Sequence, residues 1–377
     1  MSETERILVL NAGSSSLRFA VFDGSPARVF SGKFDRIGLP NPTFMTQTEH
    51  AEVRVANHVA ALEHLMKRLA GMKFSAVGHR VVHGGATYGQ PHRVDAEMLS
   101  ELRRLSAFDP EHLPAAIALM ERFSEKFPGL PQIACFDTAF HSAMPRVAKL
   151  LPIPRRYEAQ GVQRYGFHGL SYEYLLSQPG MNGRVILAHL GNGVSMAAVR
   201  DGRPVDTSMA FTPAAGLVMS TRSGDIDPGL IAFLARSDQM TAEQFTRMIN
   251  HESGLLGISE TSSDMRDLLA RESNDTRAAE AIALFCYQAK KWIGAYAAAL
   301  GGLDTLVFTG GIGENLPVIR TRICDGLGFL GIELDEQQNA GNAGIISCGR
   351  VAVRVIRTDE EMMIARSVCK VLEEKNE

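Results

Sequence analysis

Apolar positions along this chain gather into short runs that read as strands and into longer stretches with a 3.6-residue period that read as helices. The run Ile7–Leu10 enters a small-residue turn, Asn11-Ala-Gly-Ser-Ser-Ser16. A second apolar strand and the hairpin pair Asp23-Gly24 follow. The same order returns later. Arg184–Gly202 aligns with Arg6–Gly24 without a gap, an offset of 178 positions, and Arg6, Gly13, Ala20, Val21, Asp23 and Gly24 meet identical residues. An offset near half the chain suits a duplicated domain better than a solenoid, whose repeats are much shorter. After the first copy, helices are predicted over His58–Leu69, Asp95–Leu105 and Ala115–Phe127, then a buried strand at Gln132–Phe136 leading into Asp137. After the second, helices are predicted over Gly229–Arg236, Ala242–Asn250 and Arg277–Leu300. A strand at Leu306–Phe308, a glycine turn, a strand at Val351–Ile356 and a helix at Asp359–Glu373 complete the order. Asp359, Glu360 and Glu361 put acids at the positive end of that last helix. These elements predict an α/β fold of two related halves facing a cleft, with a short hinge near Met144–Arg155, where prolines cluster.

Composition narrows the class of protein without naming a function. The chain has 377 residues, 45% hydrophobic and 21% charged, enough to bury a full core. A net charge of -3 gives no case for nucleic-acid binding or for a basic membrane-facing surface. No run of about 18 apolar residues is present, so no membrane span is expected. The polar start lacks the basic region and longer apolar core of a signal peptide. Five scattered cysteines form no CxxC pair, which speaks against zinc and redox motifs and suits a reducing compartment. A cytoplasmic location is expected.

Candidate chemistry sits at the turns. Asn11–Ser16, His189-Leu-Gly-Asn-Gly193 and Thr309-Gly-Gly-Ile-Gly-Glu-Asn315 are small-residue turns after strands, where backbone N–H groups can approach phosphate oxygens. None is a P-loop or a dinucleotide fingerprint, and each alone also fits an ordinary structural turn. Three in one chain, two related by the repeat, favour a nucleotide site. Polar clusters accompany them: Arg80 and His83 in GHRVVHGG, His168 in RYGFHG, Arg222, Asp225 and Asp227 in STRSGDIDP, and Asp264 and Arg266 in SSDMR. A lone histidine or arginine in such a setting is usually structural. Clustered with glycines, these arginines suit bidentate recognition of phosphate or carboxylate. Phosphoryl transfer needs positioning and charge stabilisation more than covalent help. A carboxylate acceptor, ionised above about pH 4, needs no general base, whereas a sugar hydroxyl profits from one.

With these residues in place, the chain resembles the acetate kinase family along nearly its whole length. The resemblance is carried by LNAGSSSLRF (10–19), GHRVVHGG (78–85), CFDTAFH (135–141), RYGFHG (164–169), HLGNGVS (189–195), DTSMAFTP (206–213), STRSGDIDP (220–228), SSDMRD (262–267), FTGGIGEN (308–315) and RTDEE (357–361). It implies a duplicated ribonuclease H-like, actin-like ATPase fold around a central cleft. Residues 1–145 with a C-terminal helix at about 362–377 would form one domain, and 146–361 a second, nucleotide-binding one. It implies a cytoplasmic homodimer that converts acetate and ATP to acetyl phosphate and ADP by direct in-line transfer. The cofactor would be Mg²⁺, with Mn²⁺ the alternative. By motif, Asn11 and Glu360 would hold the metal and Arg18 would contact ATP. Arg80 would clamp the carboxylate, with Val82, Phe167 and Pro213 shaping an apolar pocket. Asp137 resembles the family's proton donor or acceptor, although an orienting role suits an already ionised substrate equally well. His168 and Arg222 would stabilise the transferring phosphoryl group. His189, Leu190, Gly191, Asn192 and Gly193, Asp264, Met265 and Arg266, and Gly311, Ile312, Gly313, Glu314 and Asn315 would cradle ATP.

The sequence departs from the family pattern in places. Arg18 replaces a usual lysine, Met265 a phenylalanine, and Ser220 and Ser223 a glycine and a cysteine. Pro110-Glu-His-Leu-Pro114 stands where the family reads P-L-H-N-P, so Glu111 would put a charge where an apolar pocket wall is expected. This leaves propionate or another short acid as an alternative substrate. A sugar kinase and an actin-like nucleotide-switched binding protein are the readings from other classes, and the Arg80, His168 and Arg222 set speaks against the switch.

Overall fold

The computed structural model describes residues 6–24 and 27–374. It forms two compact units. The first takes the residues up to Ser142, Gly169–Tyr174 and those from Asp359 onward; the second takes Ala143–His168 and Leu175–Thr358. The short segment Gly169–Tyr174 belongs to the first unit for a local reason. Gly169 N–H donates to the Asp137 carbonyl at 2.9 Å, and a Cβ at Gly169 would stand 2.2 Å from that oxygen.

The first unit is built on an eight-stranded sheet of β1 (Arg6–Ala12), β2 (Leu17–Phe22), β3 (Arg28–Asp35), β4 (Thr43–Thr46), β5 (His50–Glu52), β6 (Phe74–Val81), β7 (His92–Arg93) and β8 (Gln132–Phe136). Their order is β5-β4-β3-β2-β1-β6-β8-β7. The first five strands form an antiparallel meander, and β6 and β8 extend it in parallel with β1. The second unit has β9 (Arg184–Leu190), β10 (Val194–Arg200), β11 (Arg203–Thr207), β12 (Thr305–Thr309) and β13 (Ala352–Val355), in the order β11-β10-β9-β12-β13. Its hairpin strands are antiparallel, and β9, β12 and β13 are parallel. The wiring of β3-β2-β1-β6-β8 is therefore repeated in β11-β10-β9-β12-β13. This is the ribonuclease H-like order, present twice, and the sequence echo lies on its first two strands each time. Asp201 and Gly202 both have positive φ, 49° and 76°, as an Asp-Gly hairpin turn requires.

Period-2 geometry explains the unbroken apolar run at Ile7–Leu10. Leu8 and Leu10 pack with Phe19, Phe34 and Phe44 under Leu62, Leu65, Leu119 and Phe123 of the helices His58–Arg68 and Leu113–Lys126. Ile7 and Val9 face the other way, onto Ile364, Ala365 and Val368 of the helix Glu360–Glu373. Gly78 makes that contact close: a Cβ there would stand 2.5 Å from Ile364. In the second unit the helix Thr276–Leu300 buries a stripe running from Ala278 through Ile282, Phe285, Ala289 and Ile293 to Leu300. The helix expected over Ala242–Asn250 instead changes at Arg247 into a π-helical turn, Met248–Glu252. Among the described residues, no helix is long and apolar enough to cross a membrane.

Candidate active site

In the first unit, β1, β6 and β8 run side by side in parallel, so their C-terminal ends share one edge of the sheet. Such edges are where open α/β sheets bind ligands. Asn11 and Arg80 lie at the ends of β1 and β6, and Asp137 directly follows β8. Arg80 is tightly held. Its Nε donates to both Asp137 oxygens (3.2 and 3.1 Å), its Nη2 to Asp137 Oδ2 (2.6 Å), and its Nη1 to Asn11 Oδ1 (3.3 Å) and the Ala12 carbonyl (3.4 Å). Burial works against the Arg80 charge, but Asp137, Glu360 and Asp109 hold its guanidinium above its ordinary value. Burial raises the Asp137 carboxyl, against the lowering pull of Arg80.

Asn11 also reaches the start of the last helix. Its Nδ2 donates to Glu360 Oε2 at 2.9 Å and Glu361 Oε1 at 3.0 Å. Asp359 caps that helix by accepting from Met362 N–H and is paired with Arg28. Glu361 is buried, and burial together with the Glu360 charge raises its carboxyl. Arg18 is exposed on β2, in register with Asn11, and its charge acts on Glu361. Among the described residues, no group of three or more His, Cys, Asp or Glu could form a metal cage. The Asn11 side chain and the part-buried Glu360 carboxylate lie side by side, too few ligands for a cage but a pair suited to a hard divalent cation that keeps several waters.

The histidines flanking Arg80 are core residues. His79 Nε2 donates to Gln132 Oε1 at 2.8 Å, and His83 Nδ1 accepts from Gly85 N–H at 2.9 Å. Burial pushes both down to about 4, so they stay neutral. Val82 is buried. The buried charge of the turn before Leu113 is Asp109, not Glu111. Asp109 is only 3% exposed and accepts from His112 Nδ1 at 2.8 Å, whereas Glu111 is half-buried.

In the second unit, His168 sits at φ 60°, a strained position for a non-glycine residue. Its Nδ1 lies 2.8 Å from Ser195 Oγ, and its ring stacks on His189 with centroids 4.2 Å apart. Gly193 brings the site together: a Cβ there would stand 3.3 Å from the His168 ring and 3.5 Å from Arg222 Nη1. Arg222 Nη1 in turn donates to the Pro213 carbonyl at 3.4 Å. Gly254 lets the backbone at Met219 and Arg222 pass close by, since a Cβ would stand 2.3 Å from the Met219 oxygen. Phe167 is buried beside His168 in sequence. Arg164 Nη1 lies within 3.0 to 3.4 Å of the Thr207, Ser208 and Met209 carbonyls, tying the histidine segment to the stretch that leads to Pro213.

The two glycine turns of this unit meet. Gly310, at φ 78°, passes the Leu190 backbone so closely that a Cβ would stand 2.7 Å from its oxygen. Asn192 accepts from Ser220 N–H at 3.2 Å through its carbonyl, which joins the His189–Gly193 turn to the Arg222 loop. Gly311 is exposed with open space above its Cα, and Ile312 and Gly313 are buried. Asn315 closes on the Gly311 carbonyl at 2.9 Å. Asp264 caps the helix Met265–Arg271 and pairs with Arg266 at 2.6 Å, while Met265 is buried.

The sequence profile of the acetokinase family matches residues 6–366. An acetate kinase of Rhodopseudomonas palustris is 42% identical, with 97% of this chain and 98% of the relative covered. A propionate kinase of Citrobacter rodentium is 41% identical, covering 98% and 97%. Among solved structures, an acetate kinase of Porphyromonas gingivalis superposes with a TM-score of 0.88 at 36% identity, covering 98% of this chain and all of that one. A propionate kinase of Francisella tularensis gives 0.90 at 37%, covering 96% and 98%. These likenesses define a phosphotransferase class that takes a carboxyl group as acceptor and uses ATP and a divalent metal ion. The chain belongs to the acetokinase family.

Proposed function

We propose that this chain is an acetate kinase that transfers the γ-phosphoryl group of ATP in line to acetate, reversibly giving acetyl phosphate and ADP. The observation that carries the carboxylate reading is Arg80. Four of its five N–H groups are committed to Asp137, Asn11 and Ala12, which leaves one Nη2 hydrogen on a fixed guanidinium for a substrate oxygen. Asp137 orients Arg80; the acceptor is already ionised and needs no base. By motif, Val82 of the first unit and Phe167 and Pro213 of the second are the residues assigned to the short acyl chain. His168, held by Ser195 and His189, and Arg222 stabilise charge on the phosphoryl oxygens. The turns His189–Gly193 and Gly311–Asn315, with Asp264, Met265, Arg266 and Arg18, hold ATP. Asn11 and Glu360 hold Mg²⁺, which neutralises phosphate charge when bound.

Propionate is the second reading, because acetate and propionate kinases resemble the chain equally well and one methylene is worth only about 1–3 kcal/mol in an apolar pocket. A homodimer is supported by the helix Gly229–Ser237. It buries none of its residues and exposes Ile231 (50%) and Phe233 (57%). A cytoplasmic location accords with the cysteines, none of which is paired in a disulfide. The roles are tested by steady-state kinetics. Arg80→Ala is expected to raise chiefly the KM for the acid and Arg222→Ala to lower chiefly kcat. An unchanged acid KM contradicts the clamp, and near-wild-type turnover contradicts the role of Arg222.

A further inference from the structure

The turn Gly310–Asn315 is gripped at both ends by charged side chains of its own neighbourhood. At its start, Glu314 folds back so that Oε1 accepts from Gly310 N–H (2.9 Å), Thr309 Oγ1 (3.1 Å) and Thr358 N–H (3.3 Å). At its end, Arg320 Nη1 donates to the Gly313 carbonyl (2.8 Å) and the Glu314 carbonyl (3.2 Å). An acid at the N-terminus of a helical turn and a base at its C-terminus both complement the backbone dipole. Arg320 is wholly buried and, among the described residues, has no carboxylate partner. Its other donors go to Asn339 Oδ1 (2.8 Å), the Asn339 carbonyl (2.8 Å) and Asn342 Oδ1 (2.7 Å).

Burial pulls Arg320 down to about 10, so it remains charged at neutral pH. A buried cation answered only by neutral oxygens is a costly way to fill a core. What it supplies is a fixed direction for two carbonyls of the turn, and hence for the amides between them. Glu314 does the same at the other end. Its Oε1 is committed to Gly310, Thr309 and Thr358, so this oxygen frames the turn.

We propose that Glu314 and Arg320 are positioning residues that preset the backbone of the nucleotide turn from opposite ends. The proposal rests on the reading of that turn as part of the ATP site. The experiment is calorimetric titration of the full chain with ADP, with unfolding midpoints and KM values for ATP and for the acid. The proteins are wild type, Glu314→Ala, Glu314→Gln, Arg320→Met and Arg320→Lys. Wild type is expected to bind ADP. Glu314→Ala and Arg320→Met should weaken ADP binding and raise the KM for ATP by about 10-fold, the loss of one or two hydrogen bonds, with a smaller change in the KM for the acid. Glu314→Gln keeps an acceptor oxygen and should recover most of the loss; Arg320→Lys, which lacks the fork, should recover little. Folded Glu314→Ala with wild-type ADP affinity overturns the proposal, and so does a loss in that variant that glutamine fails to rescue. The glutamate pair decides the matter even where Arg320→Met does not fold. Absence of ADP binding by wild type would instead overturn the nucleotide reading beneath it.

Discussion

Replacing Asp137 by asparagine separates an orienting carboxylate from a general base. The side chain keeps its shape and one acceptor oxygen, but it loses the charge facing Arg80 and turns an amide N–H₂ toward a guanidinium. Asp137 accepts contacts from both Nε and Nη2 of Arg80, and its side chain is 1% exposed. Charge-assisted hydrogen bonds are worth about 1.5–3 kcal/mol each, and removing one partner of a buried pair costs about 3–5 kcal/mol. With one acceptor retained, a loss of about 3 kcal/mol follows, or roughly 150-fold in kcat/KM for the acid. Hydroxamate trapping of the acyl phosphate across pH 5.5–8.5 measures this, with the unfolding midpoint followed in parallel. The expected outcome is a raised acid KM, a lowered midpoint and a pH profile of unchanged shape. A folded variant within about threefold of wild-type kcat/KM would refute the anchoring of Arg80. A loss confined to kcat, with the acidic limb of the profile abolished, would show that Asp137 moves a proton.

Ser195→Ala removes the partner of His168 Nδ1 and should lower kcat about 10-fold with the KM for ATP nearly unchanged; unaltered kcat would show that the ring needs no such support. Gly311→Val places a branched side chain in open space, so the fold should tolerate it while the KM for ATP rises at least about 10-fold; an unchanged KM would remove Gly311 from the nucleotide site. Glu173→Gln should flatten a pH dependence of stability. Burial, with the Asp137 charge, raises Glu173 to about 7, and Lys370 only partly opposes this. The folded state therefore keeps a proton that the unfolded state releases near pH 4.5, so stability falls as pH rises from about 5 to 7. Urea unfolding at pH 5 and pH 8 should show up to about 3 kcal/mol less decline in the variant than in wild type, and equal declines would contradict the burial of that charge.

Most of the secondary structure was legible because its signals are local. Gln132–Phe136 is an apolar run and a strand, and Asp-Gly at 201–202 is a positive-φ hairpin. The echo of the first nineteen-odd positions from Arg6 correctly announced a repeated sheet, although the strand order itself came only with pairing. Side-chain direction was not legible. Nothing in FTGGIGEN distinguishes a Glu314 that faces a ligand from one that folds onto Gly310, and Arg320 in PVIRTRIC reads as a solvated helix face although it is wholly buried. Glu361 could have been suspected from its place beside Glu360 in an acidic helix start. The Asp109–His112 pair spans a single turn, but only burial shows that Asp109, not Glu111, is the enclosed charge. Ser195 carried no signal, because its significance lies in a contact with a residue 27 positions away.

The most direct test is kcat/KM for ATP-dependent acyl-hydroxamate formation with acetate, propionate and butyrate. The expected result is metal-dependent turnover that is highest with acetate, with propionate within about 200-fold, the range one methylene allows. Absence of turnover with all three acids, or turnover of a polyol in their place, would contradict carboxylate phosphorylation at Arg80.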